Sequence, residues 1–242
     1  MTRALLVAVL AVALGVPASA GTPRISVYAA SSLTEVFQQL DPKAEFEFAG
    51  SDQLAFQLEQ GAKADVYASA SPKYPEKLYR EKLVERPRVF ATNSLVLIVP
   101  RGNPGHLRGL ISLMRPDIRL VLGAEGVPVG DYARKLLDRF CAGRRRCPRA
   151  RLVSEEQDVK GVVAKVALGE ADAGFAYVTD VQAAGGNVRA IDEHDPALQP
   201  TVKYEIAVVR GAKHDAAAER FVRLVTGPRG RAALQAAGFG LP

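Results

Sequence analysis

The chain has few residues of the kinds that commonly bind metals, with two cysteines and three histidines among its 242 residues. The histidines, His106, His194 and His214, are scattered, and no pair of them has the spacing of a metal-ligand motif. We therefore expect no metal-cation site and assign these histidines no function.

Motifs for catalysis are absent as well. The sequence has no glycine-rich phosphate loop followed by lysine, no nucleotide-binding glycine fingerprint after its first predicted strand, and no nucleophile elbow. Neither cysteine has a plausible histidine partner. These absences do not exclude an enzyme, but nothing in the sequence argues for one, and we predict no catalytic residue.

Long apolar runs are confined to the N-terminus, and no other stretch approaches the roughly 20 residues of a membrane helix. Arg3 is followed by an apolar run from Ala4 to Val16 and by the small residues Ala18-Ser19-Ala20. This pattern is typical of a cleavable secretory signal over residues 1–20, although a buried N-terminal strand or helix is the alternative. Because no cysteine follows, we expect no lipid anchor and a free periplasmic protein that begins near Gly21.

The formal net charge is +6, and apart from the cluster Arg144 to Arg146 the basic residues are spread along the chain. No aromatic residues interleave with them and no nucleic-acid motif is present, so nucleic acid is not an expected partner. A positive field would still gather a small anion. The cluster itself is either a solvated loop or a contact for an anionic surface.

The two cysteines, Cys141 and Cys147, flank this basic loop. In an exported protein, such a close pair is first interpreted as a local disulfide. Metal binding is the weaker alternative, because no histidine lies at ligand spacing.

Strand and helix patterns alternate along the mature chain, which predicts an α/β fold with parallel strands joined by crossover helices. Strands are predicted at residues 24–29, 45–49, 65–69, 93–100, 119–123, 151–154, 173–177 and 203–210. Helices are predicted at residues 33–40, 52–60, 130–140, 159–168, 216–226 and 229–237.

These elements group into two compact α/β units. We expect residues 21–94 with 208–242 to form one lobe and residues 95–207 to form the other. Two chain crossings between the lobes make a hinge possible, and hinge closure around a ligand is a common use of this layout.

Two predicted strand-to-helix turns carry serine. Ser32, followed three residues later by Glu35, has the pattern of a capping box, and Ser51 begins the next predicted helix. Both turns follow parallel strands, at the edge of the sheet where α/β proteins bind ligands. Free N–H groups and a partial positive charge at a helix start, with a serine hydroxyl, form a neutral cradle for an anion. The alternative is that each serine is an ordinary helix cap.

Seven segments, in the same order along almost the whole mature chain, resemble the periplasmic molybdate-binding proteins of ABC importers. They are AASSLTEVF (29–37), FAGSDQL (48–54), QGAKADVYASA (60–70), ATNSLVLIVP (91–100), VPVGDYA (127–133), EEQDVKGVVAKVALGEADAGFAY (155–177) and AAGFGLP (236–242). Each segment alone is weak, whereas seven in register are specific.

The resemblance implies a two-lobed type II periplasmic binding protein fold, in which each lobe has a central, mostly parallel sheet flanked by helices and the cleft holds the anion. It implies five ligand-binding positions: the hydroxyl and backbone donors of Ser32 and Ser51, the backbone N–H groups of Val129 and Val159, and the Tyr177 hydroxyl. The valine side chains fit apolar core positions equally well, and Tyr177 alone fits a core or rim tyrosine.

Asp52 departs from the family pattern, which commonly has a small hydroxyl residue after the second serine. An acid in the first helical turn is favourable with the helix dipole and can face solvent. If it faces the cleft instead, it repels a dianion and accepts a proton from a protonated oxyanion. Asp52 is therefore a possible modifier of selectivity.

A site made only of donors suits an anion that has no proton to give, such as molybdate, tungstate or sulfate. We expect no cofactor, with molybdate or tungstate as the ligand. The resemblance implies the membrane permease subunits of an ABC importer as partners and a monomeric carrier. A binding protein for sulfate, phosphate or a small organic acid is the alternative, and a periplasmic enzyme on the same fold is a more distant one.

Overall fold

The computed structural model describes residues 24–191 and 196–242. The expected signal peptide and His194 therefore lie outside the described residues. Within these ranges the strands are β1 (Ser26–Ala30), β2 (Glu45–Ala49), β3 (Val66–Ser69), β4 (Arg88–Asn93), β5 (Leu95–Pro100), β6 (Arg119–Gly123), β7 (Arg151–Glu156), β8 (Ala173–Tyr177), β9 (Val188–Ala190) and β10 (Val202–Val208). The α-helices are α1 (Thr34–Leu40), α2 (Ser51–Glu59), α3 (Lys73–Arg80), α4 (Pro128–Cys141), α5 (Val159–Ala167), α6 (Val178–Ala183), α7 (Asp215–Thr226) and α8 (Pro228–Ala236). Short 3-10 helices occur at Ser31–Leu33, Leu110–Met114 and Pro196–Leu198.

The strands form two five-stranded sheets with matching layouts. The first sheet has the order β2-β1-β3-β10-β4 and the second has the order β7-β6-β8-β5-β9. In the first, β1 is parallel to β2 and β3, while β10 is antiparallel to both of its neighbours. In the second, β6 is parallel to β7 and β8, while β5 is antiparallel to both of its neighbours. Each sheet is thus mostly parallel with one reversed strand, which confirms the expected fold class.

The reversed strand of each sheet is the one that the chain enters from the other sheet. Only Ser94 separates β4 of the first sheet from β5 of the second. The chain returns between β9 and β10, because β10 pairs with the first sheet from Val202 onward. The chain therefore returns to the first lobe before residue 202, earlier than the predicted return after residue 207. Alternating polarity predicts a strand over residues 203–210 but does not show which sheet it joins.

Buried strands explain why two sheets form. β5 reads Leu-Val-Leu-Ile-Val-Pro and is buried in all but its last residue, as expected of a strand covered on both faces. The core is continuous around the crossing strands, where the ring of Tyr204 on β10 lies 6.0 Å from that of Tyr177 on β8 and 5.3 Å from that of Phe239. We call the lobes that contain the first and second sheets the first and second lobe. They share an aromatic contact near the points where the chain crosses between them.

The remaining features concern the surface. Cys141 at the end of α4 and Cys147 are joined as a disulfide, with Cα atoms 5.1 Å apart. The bonded pair closes the loop that carries the exposed Arg144 to Arg146 cluster. Across the described ranges, the helices are all too short or too polar to span a bilayer.

Candidate functional site

All five predicted ligand-binding positions meet at one small cavity between the lobes. Its walls come from both sheets: Ala30, Ser31, Ser32, Ala49, Gly50, Ser51 and Ala70 from the first lobe, and Val127, Pro128, Val129, Asp158, Val159 and Tyr177 from the second. The space open to the centre of a water-sized sphere is about 10 Å³, roughly that of one such sphere. The cavity therefore suits a guest of a few heavy atoms.

Ser51 is the first residue of α2, and its polar groups are held by β3 and the residue after it. The Ser51 hydroxyl oxygen accepts a hydrogen bond from the Ala70 N–H at 3.1 Å, and its carbonyl oxygen accepts one from the Tyr67 hydroxyl at 2.6 Å. Gly50 is the N-cap residue, and no side chain caps this helix. The interpretation of Ser51 as an ordinary cap is therefore wrong. With its oxygen already accepting, the hydroxyl is left with a proton to donate at the cavity wall.

Ser32 is also not a helix cap. A 3-10 turn occupies Ser31–Leu33, so α1 begins only at Thr34 and has no side-chain cap. The Ser32 hydroxyl lies 2.9 Å from the Tyr204 hydroxyl, and the Glu35 carboxylate forms an ion pair with Lys160 across the cleft. The predicted capping box is wrong because the 3-10 turn delays the helix and Glu35 has a partner in the other lobe.

Val129 and Val159 lie in the first turns of α4 and α5. Pro128 occupies the first position of α4, where its missing N–H removes no intrahelical bond. The N-cap of α5 is Asp158, whose side chain accepts from the Gly161 N–H at 2.9 Å. Both valine side chains are buried in the core, so the apolar interpretation also holds, while the first-turn N–H groups have no carbonyl partner within their helices. Both helices direct a partial positive charge at the cavity.

Tyr177 ends β8 and is almost completely buried, at 1% exposure. Among the described residues, its hydroxyl has no hydrogen-bond partner. Burial raises the pKa of this hydroxyl well above its ordinary value, so it stays protonated and can donate. A buried, unpaired hydroxyl costs about 1–3 kcal/mol, a cost that an acceptor bound in the cavity removes.

The cavity contains donors but no cationic side chain. The only ionisable lining side chains are Tyr177 and Asp158, and the Asp158 carboxylate is engaged as a helix cap. No group of three or more metal-ligating side chains occurs in the described part of the chain. Among the lining residues there is also no histidine, cysteine or lysine to act as a nucleophile or base. The chemistry offered is hydrogen bonding to a small guest that has acceptors only.

Asp52 lies beside the cavity rather than in its wall. One carboxylate oxygen, Oδ1, is buried without a partner among the described residues. It would lie 2.7 Å from a Cβ atom added at Gly50. Burial raises the pKa of Asp52, and the nearby Asp131 carboxylate adds to the rise while Lys73 opposes it. Asp52 thus lies at the interface between the lobes. This position matches neither of the two alternatives from the sequence, a side chain in solvent or one that lines the cleft.

Contacts across the cleft hold the lobes together over the cavity. Lys73 on α3 pairs with Asp131 on α4 at 3.1 Å, and the Tyr74 hydroxyl donates to the Gly126 carbonyl. At Gly50 the approach is closer still, because a Cβ atom there would overlap the carbonyl oxygen of Gln157. The cavity is enclosed because these contacts bring both walls together.

Sequence reasoning missed part of the site. Ser31 and Ala70 line the cavity, and Tyr204 contacts Ser32 from behind. Ser31 adjoins the predicted Ser32 and was within reach of the same argument. Tyr204 was not, because its position depends on β10 lying between β3 and β4. A larger groove of about 660 Å³ lies elsewhere, between the α1–β2 turn and α7, and contains none of the predicted residues.

The fold and the enclosed interlobe site define a two-lobed solute-binding protein. The chain belongs to the family described as bacterial extracellular solute-binding protein, whose sequence profile matches residues 25–240.

Its relatives include the molybdate-binding protein ModA of Mycobacterium tuberculosis, 36% identical over 92% of this chain and 86% of the relative. The molybdate-binding protein ModA of Haemophilus influenzae is 30% identical over 91% of each chain. The solved structure of the Azotobacter vinelandii periplasmic molybdate-binding protein matches 90% of this chain and 100% of its own, with a TM-score of 0.75 and 21% identity. That structure shares the fold, which confirms the type II architecture.

Proposed function

We propose that this protein captures molybdate or tungstate in the cavity between its lobes and delivers it to an ABC importer. The observation that carries the proposal is the buried Tyr177 hydroxyl, which lacks a partner in the described structure and lines a small cavity beside Ser32, Ser51 and two helix starts. The relatives named for molybdate binding support the same function.

The hydroxyl and N–H donors of the cavity explain how a dianion is bound without a cation. Burying a doubly charged ion without compensation is prohibitive. Hydrogen bonds to a charged group contribute about 1.5–3 kcal/mol each, so the hydroxyls of Ser32, Ser51 and Tyr177 with the N–H groups of Val129 and Val159 offset dehydration and lobe closure. We expect a binding free energy of about −8 to −12 kcal/mol, which corresponds to micromolar to nanomolar affinity.

The same donors select among anions. Hydrogen phosphate is disfavoured because the one carboxylate in the wall, that of Asp158, is engaged as the cap of α5, so the phosphate O–H has no uncommitted carboxylate to donate to. The small cavity disfavours organic acids. Sulfate is the second candidate ligand, because it too is tetrahedral and carries no proton, and only the fit of the closed cavity distinguishes it from molybdate.

Calorimetric titration of the protein with molybdate, tungstate, sulfate and phosphate tests this function. We expect binding of molybdate and tungstate and a rise in the melting temperature, because a ligand that binds only the folded state stabilises it. Absence of both heat and stabilisation with these two anions would falsify the proposal. Tight binding of sulfate alone would assign the protein to the second candidate ligand.

The same anion panel tests Asp52, whose carboxylate lies beside the cavity and repels dianions. In the variant Asp52→Ser, we expect stronger binding of all dianions and a smaller relative affinity for hydrogen phosphate. If the variant and the wild type have identical preferences, Asp52 has no part in selectivity.

The place of this protein in transport follows from the same proposal. The N-terminal pattern of residues 1–20 supports export to the periplasm, and the membrane permease subunits of an ABC importer are the partners that would receive the anion. We propose that the carrier acts as a monomer and catalyses no reaction. The lack of histidine, cysteine and lysine among the lining side chains supports that last point.

A further inference from the structure

Tyr204 lies behind the cavity, on β10, and contacts Ser32 although it does not line the cavity itself. It is completely buried, and its hydroxyl oxygen is 2.9 Å from the Ser32 hydroxyl oxygen. In a pair of hydroxyls, either one can donate. Which of them does so decides whether Ser32 can donate to a guest or accept from it.

Asn93 settles the direction of this hydrogen bond. Its side-chain oxygen accepts from the Ser94 N–H at 2.9 Å, which fixes the amide so that its NH₂ group faces the other way. That NH₂ group donates to the Thr179 hydroxyl oxygen at 2.9 Å and to the Tyr204 hydroxyl oxygen at 3.4 Å. Because the Asn93 NH₂ group can only donate, Ser32 is the one acceptor for the Tyr204 proton in the described part of the chain. Burial also raises the pKa of Tyr204 well above its ordinary value, so the proton is retained.

Ser32 then has its oxygen occupied as an acceptor, and its proton must point elsewhere. Ser32 lines the cavity on one side and a groove beside Glu35 and Thr179 on another, and an anion bound in the cavity is the acceptor that would receive this proton. Ser51 is restricted in the same way, but by the backbone N–H of Ala70. Each serine oxygen thus accepts one hydrogen bond from inside the protein, Ser51 from the backbone and Ser32 from a side chain, and each is left with its proton to donate.

We propose that Tyr204, oriented by Asn93, is a positioning residue that fixes the Ser32 hydroxyl as a donor and so makes the site reject protonated anions. This inference rests on the proposed function, since it concerns how the same cavity distinguishes oxyanions. It assigns selectivity to a side chain that does not touch the ligand. Without the Tyr204 hydroxyl, Ser32 is free to rotate and to accept a proton from its guest.

The test measures a ratio of affinities, because loss of packing would lower the affinity for every anion alike. Competition titrations at about pH 8 compare molybdate, which carries no proton, with hydrogen arsenate and hydrogen phosphate, which carry one. In Tyr204→Phe we expect molybdate affinity to fall by about tenfold while hydrogen arsenate affinity is unchanged or rises. If wild-type binding of hydrogen arsenate is undetectable, its appearance in the variant is the equivalent result.

Tyr67→Phe is the matched control. Tyr67 is equally buried, and its hydroxyl donates to the Ser51 carbonyl rather than to the Ser51 hydroxyl. Its removal leaves the direction of both serine hydroxyls unchanged. We therefore expect all affinities to fall together, with the ratio of molybdate to hydrogen arsenate preserved to within about twofold.

A second variant, Asn93→Asp, keeps the test decisive if Tyr204→Phe fails to fold. A carboxylate oxygen in place of the NH₂ group accepts the Tyr204 proton, so Tyr204 accepts from Ser32 and the relay reverses. The added charge weakens the binding of all dianions alike. The reversed relay lowers the ratio of molybdate affinity to hydrogen arsenate affinity further than Tyr204→Phe does. The inference is overturned if the wild type binds molybdate and the folded variants keep the wild-type ratio. A wild type that binds no oxyanion removes the proposed function itself, and this inference with it.

Discussion

Tyr177 and Ser51 offer the same kind of group to the cavity, but their hydroxyls differ in what else they do. The Tyr177 hydroxyl has no partner in the described structure, whereas the Ser51 hydroxyl satisfies the buried N–H of Ala70. Removing the first leaves nothing unpaired in the empty protein. Removing the Ser51 hydroxyl leaves the buried N–H of Ala70 without an acceptor, which is destabilising in itself.

We therefore predict different outcomes for Tyr177→Phe and Ser51→Ala. Both variants bind molybdate more weakly, by about 1–3 kcal/mol, since each loses one donor to a charged guest. Only Ser51→Ala lowers the melting temperature of the anion-free protein. Calorimetry and thermal unfolding of both variants check the pair, and an equal loss of anion-free stability would show that the Tyr177 hydroxyl has a partner in solution.

The family resemblance predicted which residues line the cavity, but the local sequence patterns predicted the wrong hydrogen-bond partners for two of them. Ser32 and Ser51 have the sequence context of helix caps, and in both cases the structure gives the hydroxyl a tertiary partner. A capping motif depends on neighbours in sequence, whereas Tyr204 and Ala70 are distant in sequence from the serines they contact. The direction of a hydroxyl could not be predicted without those partners.

The beginnings of helices and the loops opposite them shape the closed cleft. Gly50, the N-cap of α2, faces the carbonyl of Gln157 in the loop between β7 and α5. Its backbone has φ of −60°, which any residue can adopt. The constraint on this position is therefore space and not the backbone: a side chain would meet the Gln157 carbonyl of the other lobe and, less closely, the movable Asp52 carboxylate of its own lobe.

Gly50→Ala is predicted to impair closure more than folding. A methyl group at this position overlaps the Gln157 carbonyl only when the lobes are together, so molybdate affinity falls by more than about tenfold while anion-free stability changes by less than about 1 kcal/mol. Gly102→Ala, where a Cβ atom meets nothing within 4 Å, is the control for the substitution itself. Wild-type affinity in Gly50→Ala would mean that the lobes close less tightly than the structure shows.

Asp180, in the first turn of α6, makes the stability of the folded protein depend on pH. Its carboxylate accepts from the Tyr177 N–H at 3.1 Å and is almost fully buried. Burial raises its pKa from 3.8 to about 7; the Tyr177 N–H and the Lys160 charge oppose the rise, while Glu35 and Asp158 add to it. A carboxyl whose folded pKa exceeds its unfolded value contributes stability that is present at low pH and lost as pH rises through the folded value.

The free energy of unfolding is therefore predicted to fall as the pH rises from about 4 to about 7, with Asp180 contributing to the slope. Asp180→Asn keeps an oxygen for the Tyr177 N–H and removes that contribution, so its stability should depend less on pH. Urea unfolding at about pH 5 and about pH 8 measures the difference. Glu205→Gln should flatten the profile independently, because burial also raises the pKa of Glu205 to about 7. Parallel profiles for wild type and Asp180→Asn would contradict the assignment.

Most elements were predicted near their observed bounds, whereas helix α3 and several short or adjoining elements were missed. The strands β6 and β8 have the predicted bounds. β4 was missed because only Ser94 separates it from β5, so the two strands look like one segment. The six-residue helix α6 and the three-residue strand β9 are too short to show a period.

At the scale of the whole molecule, the lobes meet through polar contacts around the cavity. Lys73 and Asp131 form one of these across the cleft, whereas Lys77, one turn later on α3, pairs with Glu59 inside the first lobe at 2.6 Å. The first pair depends on closure and the second does not. Both are partly exposed, so each is worth little and is screened by salt.

Lys73→Gln is predicted to weaken molybdate binding by about 0.2–1 kcal/mol at low ionic strength, and the loss should shrink at about 1 M salt. Lys77→Gln should leave the affinity unchanged, since its partner lies in the same lobe. Titrations of both variants at two salt concentrations measure the contrast. A larger loss for Lys77→Gln than for Lys73→Gln would contradict a role for the interlobe pair.

The two-lobed α/β architecture was predictable because alternating strand and helix patterns imply crossover connections. The point of return was not, because β10 differs from the second-sheet strands in its partners and not in its pattern. Strand order arises from packing among residues far apart in sequence. The same limit applies to Tyr204, whose role depends on that order.

The lack of histidine and lysine in the cavity wall determines the net charge of the loaded carrier. A doubly negative guest adds two negative charges, and the wall has no histidine or lysine to take up a proton on binding, so the complex has two fewer net positive charges than the empty protein. Loaded and empty molecules thus differ in isoelectric point and in migration through a native gel, and a receiving transporter meets a less basic body. Electrophoresis without any label can therefore count the occupied carriers.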